Sequence, residues 1–125
     1  MYEAESLDSY EKANEKPNAI KEYRLAFKMQ LYKGFEEEYK KRHSALWPDL
    51  ETLLKSKGIR EYSIFLDATT NILFSTMKAG DPHALDELPS HPVMQKWWEY
   101  MKDIMETNAD NSPISMALQE VFYLP

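Results

Sequence analysis

Tyr23-Arg24-Leu25-Ala26-Phe27-Lys28-Met29-Gln30-Leu31 is the stretch on which the fold turns. Tyr23, Leu25, Phe27, Met29 and Leu31 alternate with Arg24, Ala26, Lys28 and Gln30, the period of a strand with one buried face. After a turn at Lys33-Gly34 the period changes. Phe35, Tyr39, Arg42, His43 and Leu46 fall three and four apart, the stripe of a helix from Phe35 to Leu46. Trp47-Pro48 interrupts it, because proline disfavours helical geometry in the residue before it yet suits the first turn of a new helix. Asp49 to Lys55 therefore reads as a second helical segment, stopped at Gly58.

Further along, Ile59 to Asp67 and Ile72 to Lys78 are rich in β-branched and aromatic residues and flank the polar turn Ala68-Thr69-Thr70-Asn71, which predicts a hairpin. Asp81-Pro82 opens a short helical stretch to Leu88. A longer helix is expected from Pro92 to about Glu106, with Ser90 as its candidate cap. Asn108 to Pro113 carries the residues of a loop, and Ser115 to Leu124 reads as a last strand. The order β-α-β-β-α-β is the split βαβ arrangement of an α+β, ferredoxin-like fold, with four antiparallel strands and helices on one face. Small members of this architecture cover the other face by pairing two sheets, and the apolar end Val121-Phe122-Tyr123-Leu124-Pro125 suits such a dimer.

Residues 1–22 stand apart. They hold six acids (Glu3, Glu5, Asp8, Glu11, Glu15, Glu22) against three bases (Lys12, Lys16, Lys21), with poor apolar periodicity, and are expected to be a flexible acidic extension of a single domain spanning 23–125. The whole chain of 125 residues carries 15 basic and 21 acidic side chains, net −6, a balance that argues against nucleic acid as a partner. Its apolar runs fall short of the ~18 residues of a membrane span, and its start has no signal-peptide pattern, so a cytoplasmic protein is expected. With no cysteine, thiolate nucleophiles and cysteine metal sites are excluded.

Phosphate-cradling glycine motifs and the common hydrolase and metalloprotease motifs are missing, and with 3 glycines the chain has little capacity for a nucleotide site. His43, His83 and His91 lack the spacing of a local metal cluster, so neither metal nor cofactor is expected. His43 merits most weight: Tyr39 lies one turn earlier on the same helix face, beside the basic run Lys40-Lys41-Arg42. An imidazole beside a phenol can exchange protons near neutral pH. Trp97 and Trp98 are adjacent helix positions about 100° apart, so they cannot share one face; one belongs to the core and the other to a cavity or interface. An indole there could stack on the C–H face of a pyranose. Tyr62 is in phase with Ile64 and Leu66 and points with apolar neighbours.

The blocks Glu38-Tyr39-Lys40-Lys41-Arg42-His43, Leu46-Trp47-Pro48-Asp49-Leu50, Trp97-Trp98-Glu99-Tyr100-Met101 and Leu118-Gln119-Glu120-Val121-Phe122-Tyr123-Leu124-Pro125 resemble the L-rhamnose mutarotase family from about Tyr23 to the end of the chain. The resemblance implies a homodimeric α+β barrel that interconverts the α and β anomers of L-rhamnose without metal or organic cofactor. It also implies His43 as the catalytic proton donor and Tyr39, Tyr62, Trp97 and Trp98 as substrate-binding residues. Mutarotation opens a cyclic hemiacetal by protonating the ring oxygen while a base takes the anomeric hydroxyl proton; Tyr39, a carboxylate or a bound water could complement His43. The alternative is a non-catalytic sugar-binding or assembly module on the same dimeric barrel, since fold analogy does not fix function.

Overall fold

A computed structural model describes residues 22–125. In chain order the elements are β1 (Tyr23–Gln30), α1 (Glu36–Ser44), α2 (Pro48–Ser56), β2 (Ile59–Asp67), β3 (Ile72–Ala79), a 3-10 helix (Pro82–Ser90), α3 (Pro92–Met101) and β4 (Ser115–Ala117). The strands form one antiparallel sheet in the order β2-β3-β1-β4, the arrangement of a ferredoxin-like α+β fold. The expected acidic extension lies outside the described residues except for Glu22, whose carboxylate pairs with Arg60 at 2.7 Å and Lys78 at 3.8 Å.

Alternation along β1 and β3 puts apolar side chains on one sheet face, and the helices cover that face. Towards one end Tyr23, Leu25, Phe27, Ile59, Met77 and Ala79 pack with Leu85 of the 3-10 helix. Towards the other, Leu31 and Leu73 pack with Tyr39 of α1, Leu50 of α2 and Met94, Trp97 and Met101 of α3. Each fully buried side chain of this size stabilises the fold by roughly 1.5–3 kcal/mol. The helix boundaries follow the sequence signals. Trp47 is extended at ψ 130° with Pro48 in the first turn of α2, and Gly58, at φ +79°, ends that helix in the left-handed conformation glycine accepts without steric cost.

Three boundaries differ from expectation. First, α3 stops at Met101 rather than near Glu106 because the following residues turn back onto β1: Tyr32 donates its amide to the Ile104 carbonyl at 2.9 Å and Glu106 to that of Gln30 at 3.0 Å. Ile104 is thus buried in the core from the turn that leads into the Leu31–Met105 bridge, not from a helix. Second, Ser90 does not cap α3; its hydroxyl donates to the Glu87 carbonyl at 2.7 Å and His91 occupies the cap position. Third, the last strand is short. After Leu118 donates to the Ala26 carbonyl at 2.9 Å, the chain leaves the ladder. Arg24 then takes over its attachment, bonding Glu120 at 3.1 Å and lying 3.4 Å from the Tyr123 ring centroid. An edge strand gains ladder bonds on one side only, so side-chain contacts of this kind can redirect it.

One irregularity decides where the functional side chains point. Between Arg60 and Ser63 the register of β2 against β3 shifts, and Glu61 sits at φ 48°. Without that bulge, Ile59 and Tyr62 would face opposite sides of the sheet, because side chains alternate strictly along a strand. With it, Ile59 stays on the helix-covered face and Tyr62, Ile64 and Leu66 join it there. The partners of Ile64 and Leu66 are Ser75 and Leu73, both 1% exposed beneath the helices.

Candidate active site

Where α1 crosses the β2 end of the covered face, the elements leave an open cleft of about 630 Å³. Leu31, Ile64, Leu66 and Leu73 give it an apolar floor. Tyr39, His43 and Leu46 form the wall on the α1 side, and Tyr62 rises from β2. Glu36, Glu37 and Lys40 stand at its α1 rim. An apolar cavity with a few convergent polar groups, within roughly 300–1,000 Å³, is the usual form of a small-molecule site.

Tyr39 and His43 meet because they are one helical turn apart: their rings stack at 4.2 Å between centroids and 26° between planes. The His43 Nδ1 lies 3.0 Å from the Tyr39 carbonyl oxygen. A carbonyl only accepts, so Nδ1 carries the proton and Nε2 of the neutral ring holds the free lone pair. Burial pushes the His43 pKa below its ordinary value, partly offset by that same hydrogen bond. Near neutral pH the ring is therefore an uncharged base, not a standing acid.

The two phenols behave in the opposite sense. Tyr39 is 9% exposed, and burial, reinforced by the neighbouring Tyr62, drives its pKa far up. Tyr62 is 42% exposed as a whole residue, but its hydroxyl end is desolvated enough to be pushed up to about 12. Both remain protonated at physiological pH and can donate hydrogen bonds into the cleft. At the rim, Glu36 is held below the usual carboxylate range by its own backbone amide, by Asn71 Nδ2 at 2.9 Å and by the Gly34 amide at 3.2 Å.

Three of the five sequence-predicted residues, Tyr39, His43 and Tyr62, thus share one cleft. The indoles do not line it. Trp97 is 6% exposed and meets His43 edge-on at 5.4 Å from behind, with Trp47 against its other side at 5.0 Å. Trp98 is half-buried and packs against the core. The adjacency of the two indoles in sequence says that they diverge, but not which surface each meets. Arg42 also departs from the basic run expected beside His43: its guanidinium is turned towards α3 and paired with Glu38 and Asp103. His83 is largely exposed near Asp86 and His91 occupies the extended cap position before α3, both away from the cleft. Sequence reasoning missed Glu36 and the apolar floor; the phase shared by Tyr62, Ile64 and Leu66 was the available signal for part of that floor.

Among the described residues no helix is long and apolar enough to cross a membrane. Residues 24–124 match the family model described as L-rhamnose mutarotase. A Sinorhizobium fredii protein named L-rhamnose mutarotase is 54% identical over 101 residues, 81% of this chain and 97% of that protein. One from Flavobacterium johnsoniae is 53% identical, covering 86% of this chain and 97% of its own length. The crystal structure of the Formosa agariphila L-rhamnose mutarotase superposes with a TM-score of 0.77 at 50% identity, over 82% of this chain and 99% of that one. A Mycobacterium tuberculosis protein, at 11% identity and a TM-score of 0.54 over 84% of this chain and 100% of its own, shares the fold alone. Because the match runs from β1 through the cleft helix to the tail, and the relatives are covered almost end to end, this chain belongs to the L-rhamnose mutarotase family.

Proposed function

We propose that this protein interconverts the α and β anomers of L-rhamnose, with His43 moving a proton between the two oxygens on the anomeric carbon. Opening the pyranose removes the proton from the anomeric hydroxyl, breaks the bond between that carbon and the ring oxygen, and adds a proton to the ring oxygen. The proton lost and the proton gained balance, so one base that becomes an acid serves both ends. Neutral His43 takes the hydroxyl proton on Nε2 and returns it as imidazolium to the ring oxygen. After rotation about the bond to the next carbon, the reverse steps close the other anomer. A base of this kind contributes typically ~10²–10⁴-fold.

Tyr39 and Tyr62 are the substrate-binding phenols in this reading, donating to sugar oxygens that gain negative charge as the ring opens. Their raised pKa values keep those donors protonated. The floor of Leu31, Ile64, Leu66 and Leu73 suits the methyl group that rhamnose carries where other hexoses have a hydroxymethyl. A hydrophobic pocket distinguishes such groups by only about 1–3 kcal/mol, so selectivity among deoxy sugars is expected to be modest. Trp97 serves by backing His43, and Trp98 is the indole whose remaining exposed surface could meet sugar or a second chain.

A cytoplasmic homodimer belongs to the same proposal. What favours two copies is the open sheet face: Phe65 is 61% and Met116 59% exposed there, and the tail adds Phe122 and Leu124, each at 78%.

The observation that carries the proposal is the convergence of Tyr39, His43 and Tyr62 on one cleft in a chain of this family. Exchange NMR on L-rhamnose at anomeric equilibrium tests it. The protein is expected to raise the α-to-β exchange rate, and His43→Ala to abolish most of that increase. Sugar binding with no faster exchange would leave it a binding module.

A further inference from the structure

α1, Glu36-Glu37-Glu38-Tyr39-Lys40-Lys41-Arg42-His43-Ser44, has an unusual problem of placement. Tyr39 is its one buried residue, and no side chain caps its N-terminus. Apolar burial therefore fixes one point of the helix, and Glu36, accepting from Asn71 Nδ2 at 2.9 Å, holds its first turn, which leaves the roll of the last turn to be set by something else. Yet the roll decides where His43 sits.

Arg42 supplies the missing constraint. Its side chain is only 9% exposed. Nε donates to Glu38 Oε2 at 2.7 Å, one turn back on the same helix. Nη1 donates to the Tyr100 carbonyl at 2.7 Å and Asp103 Oδ1 at 2.9 Å, and Nη2 to Asp103 Oδ2 at 3.2 Å. The guanidinium carbon also lies 4.4 Å from the Tyr100 ring centroid. A planar fork bonded at three nitrogens and stacked on a ring has a defined orientation, which a lysine ammonium cannot reproduce. Tyr100 in turn touches Trp97 at 5.6 Å, and Trp97 touches His43 at 5.4 Å. The contacts close a circuit, Arg42 to Tyr100 to Trp97 to His43, completed by the peptide bond joining His43 to Arg42.

We propose that Arg42, clasped by Asp103 and Tyr100, is a positioning residue for His43: it fastens α1 to the end of α3 and so fixes the imidazole between Tyr39 and Trp97. This rests on the reading of His43 as the proton carrier. Arg42 does not line the cleft. Its effect on the reaction runs through α1, and the sugar contacts of Tyr39 and Tyr62 are expected to survive its loss.

The test uses the full chain with Arg42→Lys and Asp103→Asn, two readouts on each. In exchange kinetics, kcat is expected to fall about tenfold or more while KM stays within about twofold, the signature of a misplaced reacting group. In ring-nitrogen NMR of the three histidines, with His43 assigned by its loss in His43→Ala, the Nδ1-protonated tautomer is expected to give way to a mixture. Arg42→Lys should be as impaired as Asp103→Asn although it keeps the charge. The Asp103 side chain is 62% exposed, so Asp103→Asn decides the matter should Arg42→Lys fail to fold. Wild-type nitrogen shifts or wild-type kcat in folded Asp103→Asn, even with a lowered Tm, would overturn the proposal. If His43→Ala keeps its activity, the proton-carrier assignment falls, and the nitrogen shifts still decide whether Arg42 places the ring.

Discussion

On the helix-covered face of the sheet, polar groups in and behind the cleft wall are tied to a second element or to their own helix: His43 to the Tyr39 carbonyl, Glu36 at the rim to Asn71, and Arg42, behind the wall, to Tyr100 and Asp103. On the opposite face, the tail beyond Leu118 is attached through Arg24 to Glu120 and Tyr123, and leaves Val121, Phe122 and Leu124 between 78% and 89% exposed. The first region is finished within one chain. The second has apolar surface of the kind that a further surface covers. Chemistry that depends on where a proton sits needs the first kind of order, whereas association needs only complementary area.

Changes on the two faces should therefore register in different measurements. Leu73→Ala, at 1% exposure under the cleft floor, is expected to cost about 2–5 kcal/mol by denaturant unfolding, and to lower exchange activity as the floor collapses. Phe122→Asp combined with Leu124→Asp should weaken self-association by on the order of 2 kcal/mol, seen as a monomer mass by light scattering at low micromolar concentration. A smaller change is expected from Tyr62→Phe: loss of one donor, about 0.5–1.5 kcal/mol, read mainly in the kinetics of exchange and little in Tm. Removal of residues 1–21 should change neither rate nor stability by more than about 0.5 kcal/mol. If the tail substitutions left the mass unchanged but abolished activity, the division between the two faces would have to be redrawn.

The order of elements was legible because each has a local cause. Alternation in β1, the three-and-four spacing around Tyr39 and His43, and Trp47-Pro48 all act over a few residues, and all appear in the structure where the sequence puts them. The pairing of Tyr39 with His43 was legible for the same reason. What was not legible arises from contacts distant in sequence. The Glu61 bulge carries no glycine or asparagine to announce its positive φ, yet it lets Ile59 and Tyr62 share a face. Arg42 looked like part of a basic run; only the fold brings Asp103, 61 residues away, to neutralise it. The tail read as a strand from its β-branched and aromatic residues, and its attachment by Arg24 depends on a register that the tail's own sequence does not encode.

Burial lowers the His43 pKa, and this has a sign that can be tested in two ways. The unfolded chain returns the imidazole to ~6.5 and so binds the proton more readily than the folded chain just below that pH. The stability this group contributes is present above ~6.5 and is lost as pH falls through the lower folded value.

The central claim is that an uncharged His43, protonated on Nδ1 and open at Nε2, is the base that starts ring opening. The most direct measurement is the pH dependence of the catalysed exchange rate of L-rhamnose anomers, in wild type and His43→Ala. The account predicts a rate that is flat through neutrality and falls on the acid side with a midpoint below ~6.5, with that limb absent in His43→Ala. A rate that rises as the solution is acidified through that range, or an acid limb that persists in His43→Ala, would contradict it.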